Sequence, residues 1–300
     1  IAFIFPGQGA QYIGMGRDFY EQTETGRKVF DQASELLGFS MPELVFEPND
    51  RLDITEYTQA AMVTTSIAMM KVFTERTGIR PDVAAGLSLG EYCALVAAGV
   101  MTADDAIRTV RERGILMQEA VPAGVGGMSA VLGMTADEID AVVDEIPNVQ
   151  VANYNCPGQI VISGLKEAVE TAAVKLKEAG ARRVIPLNVS GPFHSYLLEE
   201  AGEKLGKFLE NIPVSEPVIP YVANVTAAYV TKAEDVKPLL TRQVSSSVRW
   251  QQSVETMLAD GVDRFIEIGP GKTLAGFIRK INREATVINI EKFEDLEKLN

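Results

Sequence analysis

A serine inside a glycine-flanked turn is the residue of this chain best suited to chemistry. The segment Gly86-Leu87-Ser88-Leu89-Gly90 fits the pattern G-x-S-x-G and lies between an apolar stretch and a helical one. That context is typical of a sharp turn that exposes a nucleophilic serine, and a plain turn with a capping serine is the alternative interpretation. A serine hydroxyl needs a base at neutral pH. The 300-residue chain has one histidine, His194, which we predict to be that base.

The residues around the serine also favour acyl chemistry. A helix begins directly after the turn, so the backbone N–H of Leu89 is placed to donate to an oxyanion. In common α/β-hydrolases the histidine lies near the C-terminus. Here about a third of the chain follows His194, which counts against an ordinary esterase.

Strands and helices alternate along the chain, which predicts an α/β fold with a mostly parallel sheet. Predicted strands cover 1–5, 82–87, 218–224, 264–268 and 286–290, and predicted helices cover 17–37, 58–77, 89–98, 102–121, 195–209, 232–244, 248–259 and 273–281. The order changes to β-α-β-β-α-β between them, with strands over 128–134, 149–153, 159–163 and 183–189 and helices over 135–146 and 165–179. This order is typical of a ferredoxin-like unit. We predict a small ferredoxin-like subdomain, 125–190, inserted into a large hydrolase-like domain formed by 1–124 and 191–300.

Composition excludes several classes of function. The net charge of −13 disfavours nucleic-acid binding, because that binding relies on Lys and Arg meeting phosphates. Two cysteines and one histidine form neither a disulfide framework nor a zinc site. The apolar N-terminal segment reads as a buried strand and not as a signal peptide. We expect a cytoplasmic protein that binds neither a membrane nor a metal ion.

Several separate motifs together resemble the malonyl-CoA:acyl carrier protein transacylases of fatty-acid synthesis over essentially the whole chain. The motifs are FPGQGAQ at 5–11, GLSLGEY at 86–92, RGILMQEA at 113–120, ANYNCPGQIVISG at 152–164, GPFHS at 191–195, ANVTA at 223–227 and EIGPGK at 267–272. One position departs from the family pattern, since the family usually has histidine where this chain has Leu87. The resemblance implies the same hydrolase-like domain with an inserted ferredoxin-like subdomain.

The resemblance also implies roles for individual residues. Ser88 would be the acylated nucleophile and His194 the general base, with the main-chain carbonyl of Gln243 accepting the N–H of the imidazole. The backbone N–H groups of Gln8 and Leu89 would form the oxyanion hole. Asn153 and Asn155 belong to a segment that lines the family's cleft and receive no role here.

Two further residues would select the substrate. The resemblance makes Arg113 the partner of the free malonyl carboxylate, a role that suits a guanidinium because it binds carboxylates through two parallel hydrogen bonds. Without the resemblance, Arg113 is one of several charges on a helix and reads as solvated. Phe193 would exclude branched acyl groups, and a merely packing phenylalanine is the alternative.

The implied partners are malonyl-CoA and an acyl carrier protein, both of them substrates, so the resemblance implies no metal or prosthetic group. We expect the enzyme itself to be a monomer. Because the family's carrier is acidic and so is this chain, docking needs a local basic patch. The best candidates are Arg182, Arg183, Arg279 and Lys280.

Three other functions are alternatives to malonyl transfer in fatty-acid synthesis. They are a trans-acting polyketide acyltransferase, a thioester hydrolase with the same Ser–His pair, and a binding module that has kept the fold.

Overall fold

Two β-sheets organise the chain in a computed structural model that describes residues 1–189 and 191–299. The larger sheet has the strand order β10-β9-β1-β2-β7-β8, and every neighbouring pair is parallel except β7–β8. Its strands are β1 (Ala2–Phe5), β2 (Val83–Gly86), β7 (Tyr221–Val222), β8 (Tyr229–Val230), β9 (Arg264–Ile268) and β10 (Thr286–Ile290). The expected α/β class with a mostly parallel sheet is confirmed.

The central strands are short and apolar because helices cover both faces of the sheet. β1 and β2 read AFIF and VAAG, and all of their residues are buried. Continuous apolar strands of this kind are typical of parallel sheets covered on both sides. Since β1 pairs with β2 from Ala2–Val83 to Phe5–Gly86, the loops that follow both strands lie side by side at the carboxyl edge of the sheet.

Ten helices of the described residues lie in the same chain segments as the strands of the larger sheet. They are α1 (Arg17–Gln22), α2 (Glu24–Leu37), α3 (Met41–Phe46), α4 (Thr55–Thr77), α5 (Glu91–Ala97), α6 (Ala103–Glu119), α9 (Glu199–Leu209), α10 (Ala233–Gln243), α11 (Trp250–Ala259) and α12 (Thr273–Ile281). Short 3-10 turns cover Ser88–Gly90, Tyr196–Leu198 and Phe293–Leu299. α4 is buried on almost every side, as expected of a helix without a polar face. None of these helices has the length and apolarity needed to cross a bilayer.

The smaller sheet is antiparallel, with the order β4-β5-β3-β6. Its strands are β3 (Gly126–Leu132), β4 (Val149–Cys156), β5 (Gln159–Leu165) and β6 (Arg183–Pro186), and its helices are α7 (Ala136–Val143) and α8 (Lys166–Glu178). A capping box between Thr135 and Glu138 begins α7. The backbone of Val248 bonds to Ala152 and Tyr154 of β4, so this sheet is tied to the segment before α11.

Several predicted boundaries were wrong for local reasons. The helix predicted over 17–37 is divided at Thr23, whose extended backbone and side-chain oxygen cap α2. The strand predicted over 218–224 keeps only Tyr221–Val222, because Val218 is exposed and Pro220 has no N–H to donate. The strand predicted over 183–189 ends at Pro186. α3 and β8 were not predicted. Ser190 and Asn300, which end the two predicted domains, lie outside the described residues.

Candidate active site

The turn at Ser88 is built from close backbone contacts that only glycine allows. A Cβ on Gly86 would lie 2.0 Å from the carbonyl of Gly90, and one on Gly90 would lie 2.2 Å from the carbonyl oxygen of Phe5. Ser88 itself has a φ of 51°, a left-handed conformation that is uncommon for a residue with a side chain. The two glycines of G-x-S-x-G are therefore needed because the backbone at Gly86 packs against Gly90, and Gly90 packs against Phe5. This turn places Ser88 at the carboxyl edge of the sheet.

We expect Gly86→Ala to destabilise the fold strongly, because the added methyl meets backbone that cannot move aside. The cost should be about 3 kcal/mol of unfolding free energy, the upper range for overpacking. Gly276→Ala is the control, since a Cβ there has no neighbour within 4 Å and alanine favours a helix by about 0.5–1 kcal/mol. Urea unfolding measures both, and equal midpoints for the two variants would contradict the prediction.

Ser88 and His194 lie in contact, although 106 positions separate them. The Oγ of Ser88 is 2.7 Å from Nε2 of His194. On the other side of the ring, Nδ1 lies 2.9 Å from the carbonyl oxygen of Gln243 and 3.1 Å from that of Ser246. A carbonyl can only accept, so Nδ1 carries the proton and Nε2 is the acceptor for the serine O–H.

Burial keeps this imidazole neutral. Desolvation and then the nearby charge of Arg113 lower the pKa of His194 to about 4, while hydrogen bonds to the carbonyls of Gln243 and Ser246 oppose the shift. The neutral ring, which can accept a proton, is therefore the dominant form at pH 7.

The carbonyl behind the ring belongs to the end of a helix. Gln243 is the last residue of α10, where main-chain carbonyls lack partners inside the helix and carry partial negative charge. Such a group stabilises a protonated ring in the way a carboxylate would, but more weakly. The geometry gives Gln243 the position predicted for it.

Arg113 is buried within hydrogen-bond distance of the serine, so the solvated reading is wrong. The side chain is 1% exposed. Its Nη1 donates to Oε1 of Gln59 at 2.8 Å, and its Nη2 lies 3.0 Å from Oε1 of Gln243 and 3.2 Å from Oγ of Ser88. Across residues 1–189 and 191–299, no carboxylate forms an ion pair with this guanidinium. The arrangement can bind an anionic group beside the nucleophile.

An open cavity of about 600 Å³ lies over this cluster. Ser88, His194, Arg113 and Phe193 all line it, and so do Gln8, Gly9, Gln11, Asp53, Gln59, Leu87, Met117, Met128, Asn153, Asn188 and Val189. Asn155 lines an adjoining cavity of about 240 Å³, which shares Gln8 and Gly9 with the first. Leu87, in the place of the family's usual histidine, borders both cavities.

The candidate oxyanion donors lie on the two adjacent loops at the sheet edge. Gln8 follows β1, and Leu89 is the residue after the serine in the turn that follows β2. The N–H of Ser88 is not a candidate, because it donates to Oδ1 of Asn224 at 2.6 Å. The loop positions agree with the predicted donors, whose role remains a prediction.

Sequence reasoning missed three polar residues that hold the cluster together. Asn224 bonds both the N–H of Ser88 and the carbonyl of Gly86 through its side chain. Gln59 is a buried partner of Arg113, and Glu91 is a fully buried carboxylate one turn after the serine. Polar residues inside apolar segments are rarely buried without a partner, and that signal was available for Gln59 and Glu91.

The four candidate docking cations are exposed, and three of them gather at one end of the smaller sheet. Arg183 pairs across strands with Leu132, which also pairs with Gln159, and Arg182 donates its N–H to the carbonyl of Leu132. Lys280 of α12 reaches Oε1 of Gln159 at 3.5 Å. Arg279 precedes it in α12. The opposite end of β3 carries Met128, which lines the cavity.

Comparisons with known proteins point to one enzyme family. Residues 2–293 match the family model described as acyl transferase domain. A malonyl CoA-acyl carrier protein transacylase of Bacillus subtilis is 48% identical in an alignment of 302 positions that covers 99% of this chain and 95% of that protein. An acyl carrier protein S-malonyltransferase from Vibrio cholerae is 41% identical and superposes with a TM-score of 0.97 over 100% of this chain and 99% of that chain.

A further similar structure contains a carrier. It is a malonyl-transacylase in complex with a type II PKS acyl-carrier protein, 40% identical, with a TM-score of 0.96 over 99% of this chain and 97% of that chain.

Proposed function

The chain belongs to the acyl transferase family, and we propose that it transfers malonyl groups from malonyl-CoA to the phosphopantetheine thiol of an acyl carrier protein. One observation carries the choice of substrate. A buried guanidinium, that of Arg113, lies 3.2 Å from the hydroxyl of Ser88 and forms no ion pair with a described carboxylate. Malonyl thioesters present a carboxylate two bonds beyond the reacting carbonyl carbon, so a group held by Arg113 brings that carbon to Ser88.

The first half-reaction acylates the serine. His194 takes the proton of Ser88 on Nε2 as Oγ attacks the thioester carbonyl, and the backbone N–H groups of Gln8 and Leu89 stabilise the oxyanion. The C–S bond then breaks. The thiolate of CoA takes the proton from His194 and leaves, and malonyl-Ser88 remains.

The second half-reaction is the reverse with a new thiol. The phosphopantetheine thiol gives its proton to His194 and attacks the ester, and the proton returns to Oγ of Ser88 as the acyl group departs. In this ping-pong scheme every step uses side chains and backbone of the chain itself, with no metal or prosthetic group. The carbonyls of Gln243 and Ser246 keep the ring in the required tautomer throughout.

Intact-mass measurement with malonyl-CoA tests the function. We expect a malonyl adduct on the wild-type protein, none on Ser88→Ala, and discharge of the adduct when holo-carrier protein is added. Rapid loss of the adduct to water without carrier would instead favour a thioester hydrolase. Comparing fatty-acid and polyketide carriers as acceptors distinguishes fatty-acid synthesis, which we propose, from a trans-acting polyketide enzyme.

We also propose the finer description of the fold. The order β4-β5-β3-β6 with α7 and α8 supports a ferredoxin-like subdomain over 125–190. The strand–turn–helix at Ser88 supports a hydrolase-like domain over 1–124 and 191–300. Cys93 and Cys156 are buried free thiols, which agrees with a cytoplasmic protein, and we propose that it acts as a monomer.

Phe193 should decide between malonyl and methylmalonyl groups. Its ring is 7% exposed and lines the cavity next to His194, in space that an α-methyl group would need. We expect Phe193→Ser to raise the preference for methylmalonyl-CoA over malonyl-CoA about tenfold, the value of one methyl group in a tight pocket. Steady-state kinetics with both donors measure the ratio, and an unchanged ratio would leave Phe193 as a packing residue.

The cations at the end of the smaller sheet should steer an acidic carrier. We expect Arg183→Glu to raise the KM for the carrier about tenfold at low salt and less at high salt, because screening weakens long-range attraction. Lys204→Glu, on α9 and outside this cluster, is the matched control. If both reversals leave the KM equal at low salt, Arg183 takes no part in docking. The same comparison can be made for Arg182, Arg279 and Lys280.

A further inference from the structure

A buried carboxylate takes no part in the steps described so far. Glu91 is 1% exposed and lies in the first turn of α5, three residues after the nucleophile. Its Oε2 accepts hydrogen bonds from Nε2 of Gln243 at 2.6 Å and from the backbone N–H of Asn224 at 3.2 Å. Burying a carboxylate is costly unless it is paired, so its position in the site calls for a reason.

Gln243 connects this carboxylate to the two groups that act on the substrate. Its amide Oε1 accepts from Nη2 of Arg113 at 3.0 Å. Its amide Nε2 donates to Glu91 and to the main-chain carbonyl of Ser88 at 3.0 Å. Its own main-chain carbonyl accepts from Nδ1 of His194 at 2.9 Å. One residue therefore contacts the anion, the guanidinium and the imidazole.

We propose that Glu91 is a positioning residue that fixes the orientation of the Gln243 amide and, through it, holds Arg113 in place for the malonyl carboxylate. The inference rests on the proposed function, since it assigns Arg113 the substrate carboxylate.

The two ends of the amide have nearly the same shape, and only their partners distinguish them. A carboxylate accepts and never donates when ionised, so Glu91 requires the NH₂ end of Gln243. The amide oxygen must then face Arg113, whose Nη2 donates a hydrogen bond to it. Glu91 therefore acts on the guanidinium through the Gln243 amide. It does not bond Arg113 directly, so the guanidinium stays available to a substrate carboxylate.

Burial and the polar contacts of Glu91 have opposite effects on its charge. Burial raises the pKa of Glu91 to about 7, while the hydrogen bonds from Gln243 and Asn224 and the charge of Arg113 act in the opposite direction. The contacts that stabilise the ionised form are those through which the residue would act.

Glu91→Gln is the decisive variant, because it keeps the shape and removes the charge. The new amide has an acceptor as well as a donor, so position 91 no longer requires the NH₂ end of Gln243, and both orientations of the Gln243 amide become possible. In the flipped orientation an NH₂ group faces the donor of Arg113, and Arg113 loses its fixed position. We expect kcat/KM for malonyl-CoA to fall about tenfold or more relative to acetyl-CoA, with most of the change in KM for malonyl-CoA.

The control is another buried carboxylate. Glu267 is fully buried and its oxygens accept from the backbone N–H groups of Leu274 and Ala275, with no contact to Gln243. Glu267→Gln should destabilise the fold but keep the wild-type ratio of malonyl to acetyl transfer. A double-mutant cycle with Gln243→Ala adds an independent measure, since Glu91→Gln should change the ratio little once the amide is gone.

The outcomes separate the two proposals. If the wild-type protein forms no malonyl adduct, the proposed function fails. If it does, and Glu91→Gln lowers malonyl and acetyl transfer equally, Glu91 is only structural and the inference is overturned. Should Glu91→Gln fail to fold, Glu91→Asp keeps the charge but withdraws it from Gln243, and the inference then requires a lowered ratio in that variant.

Discussion

Replacing His194 with alanine is expected to slow the malonylation of Ser88 by about 10⁴-fold, the upper range for loss of a general base. The chain has no second histidine. Among the described residues, the side-chain partners of the Ser88 hydroxyl are His194 and Arg113, and a guanidinium does not accept a proton. Rapid-quench mass spectrometry of the adduct measures the rate. A loss below tenfold would mean that another group activates the serine.

The single histidine also allows a direct test of its protonation state. Burial and Arg113 lower the pKa of His194 to about 4, so the ring should stay neutral as the pH falls through 6.5 and become protonated only near pH 4. The imidazole C–H resonance in an NMR titration belongs to one residue and needs no assignment. His194→Ala, which lacks the resonance, is the control. A midpoint near 6.5 would contradict the buried, neutral base.

The parts of the site that the sequence predicted are local in the chain. The turn at Ser88 has its glycines within two positions of the serine. Such a pattern acts through backbone geometry that neighbouring residues determine. The β-α-β-β-α-β order was also predictable, because its six elements follow one another directly in the sequence.

The parts that the sequence did not predict depend on contacts between distant positions. Glu91 meets Gln243 across 152 positions and Asn224 meets Ser88 across 136, and no local pattern connects such pairs. The helix α6 gives a second example. Its Arg108 and Arg111 form partly exposed ion pairs with acidic residues, while Arg113 is buried against Gln59 of α4. Arg111 also contacts α4, through Glu56, so only the burial of each side chain in the packed fold distinguishes the three arginines.

Replacing Arg113 with alanine should change the choice of acyl group more than any other substitution in the site. Truncating one partner of a buried, hydrogen-bonded charge pair costs about 2–5 kcal/mol, so kcat/KM for malonyl-CoA should fall about 100-fold or more. The acetyl group of acetyl-CoA has no free carboxylate, so it makes no contact with Arg113 that the substitution would remove. Its transfer should fall far less, and the ratio of the two donors should move toward acetyl. Competition between the two CoA esters, read by mass on Ser88, measures the ratio.

The matched control for this substitution is Arg111→Ala. That residue lies on the same helix, and its guanidinium pairs with Glu56 at 2.7 Å, so its loss should leave the acyl preference unchanged. Arg113→Ala has a second expected consequence. Because the charge of Arg113 lowers the pKa of His194, removing it should raise the midpoint of the His194 titration. A variant with unchanged acyl preference and an unchanged midpoint would show that Arg113 acts on neither the substrate nor the base.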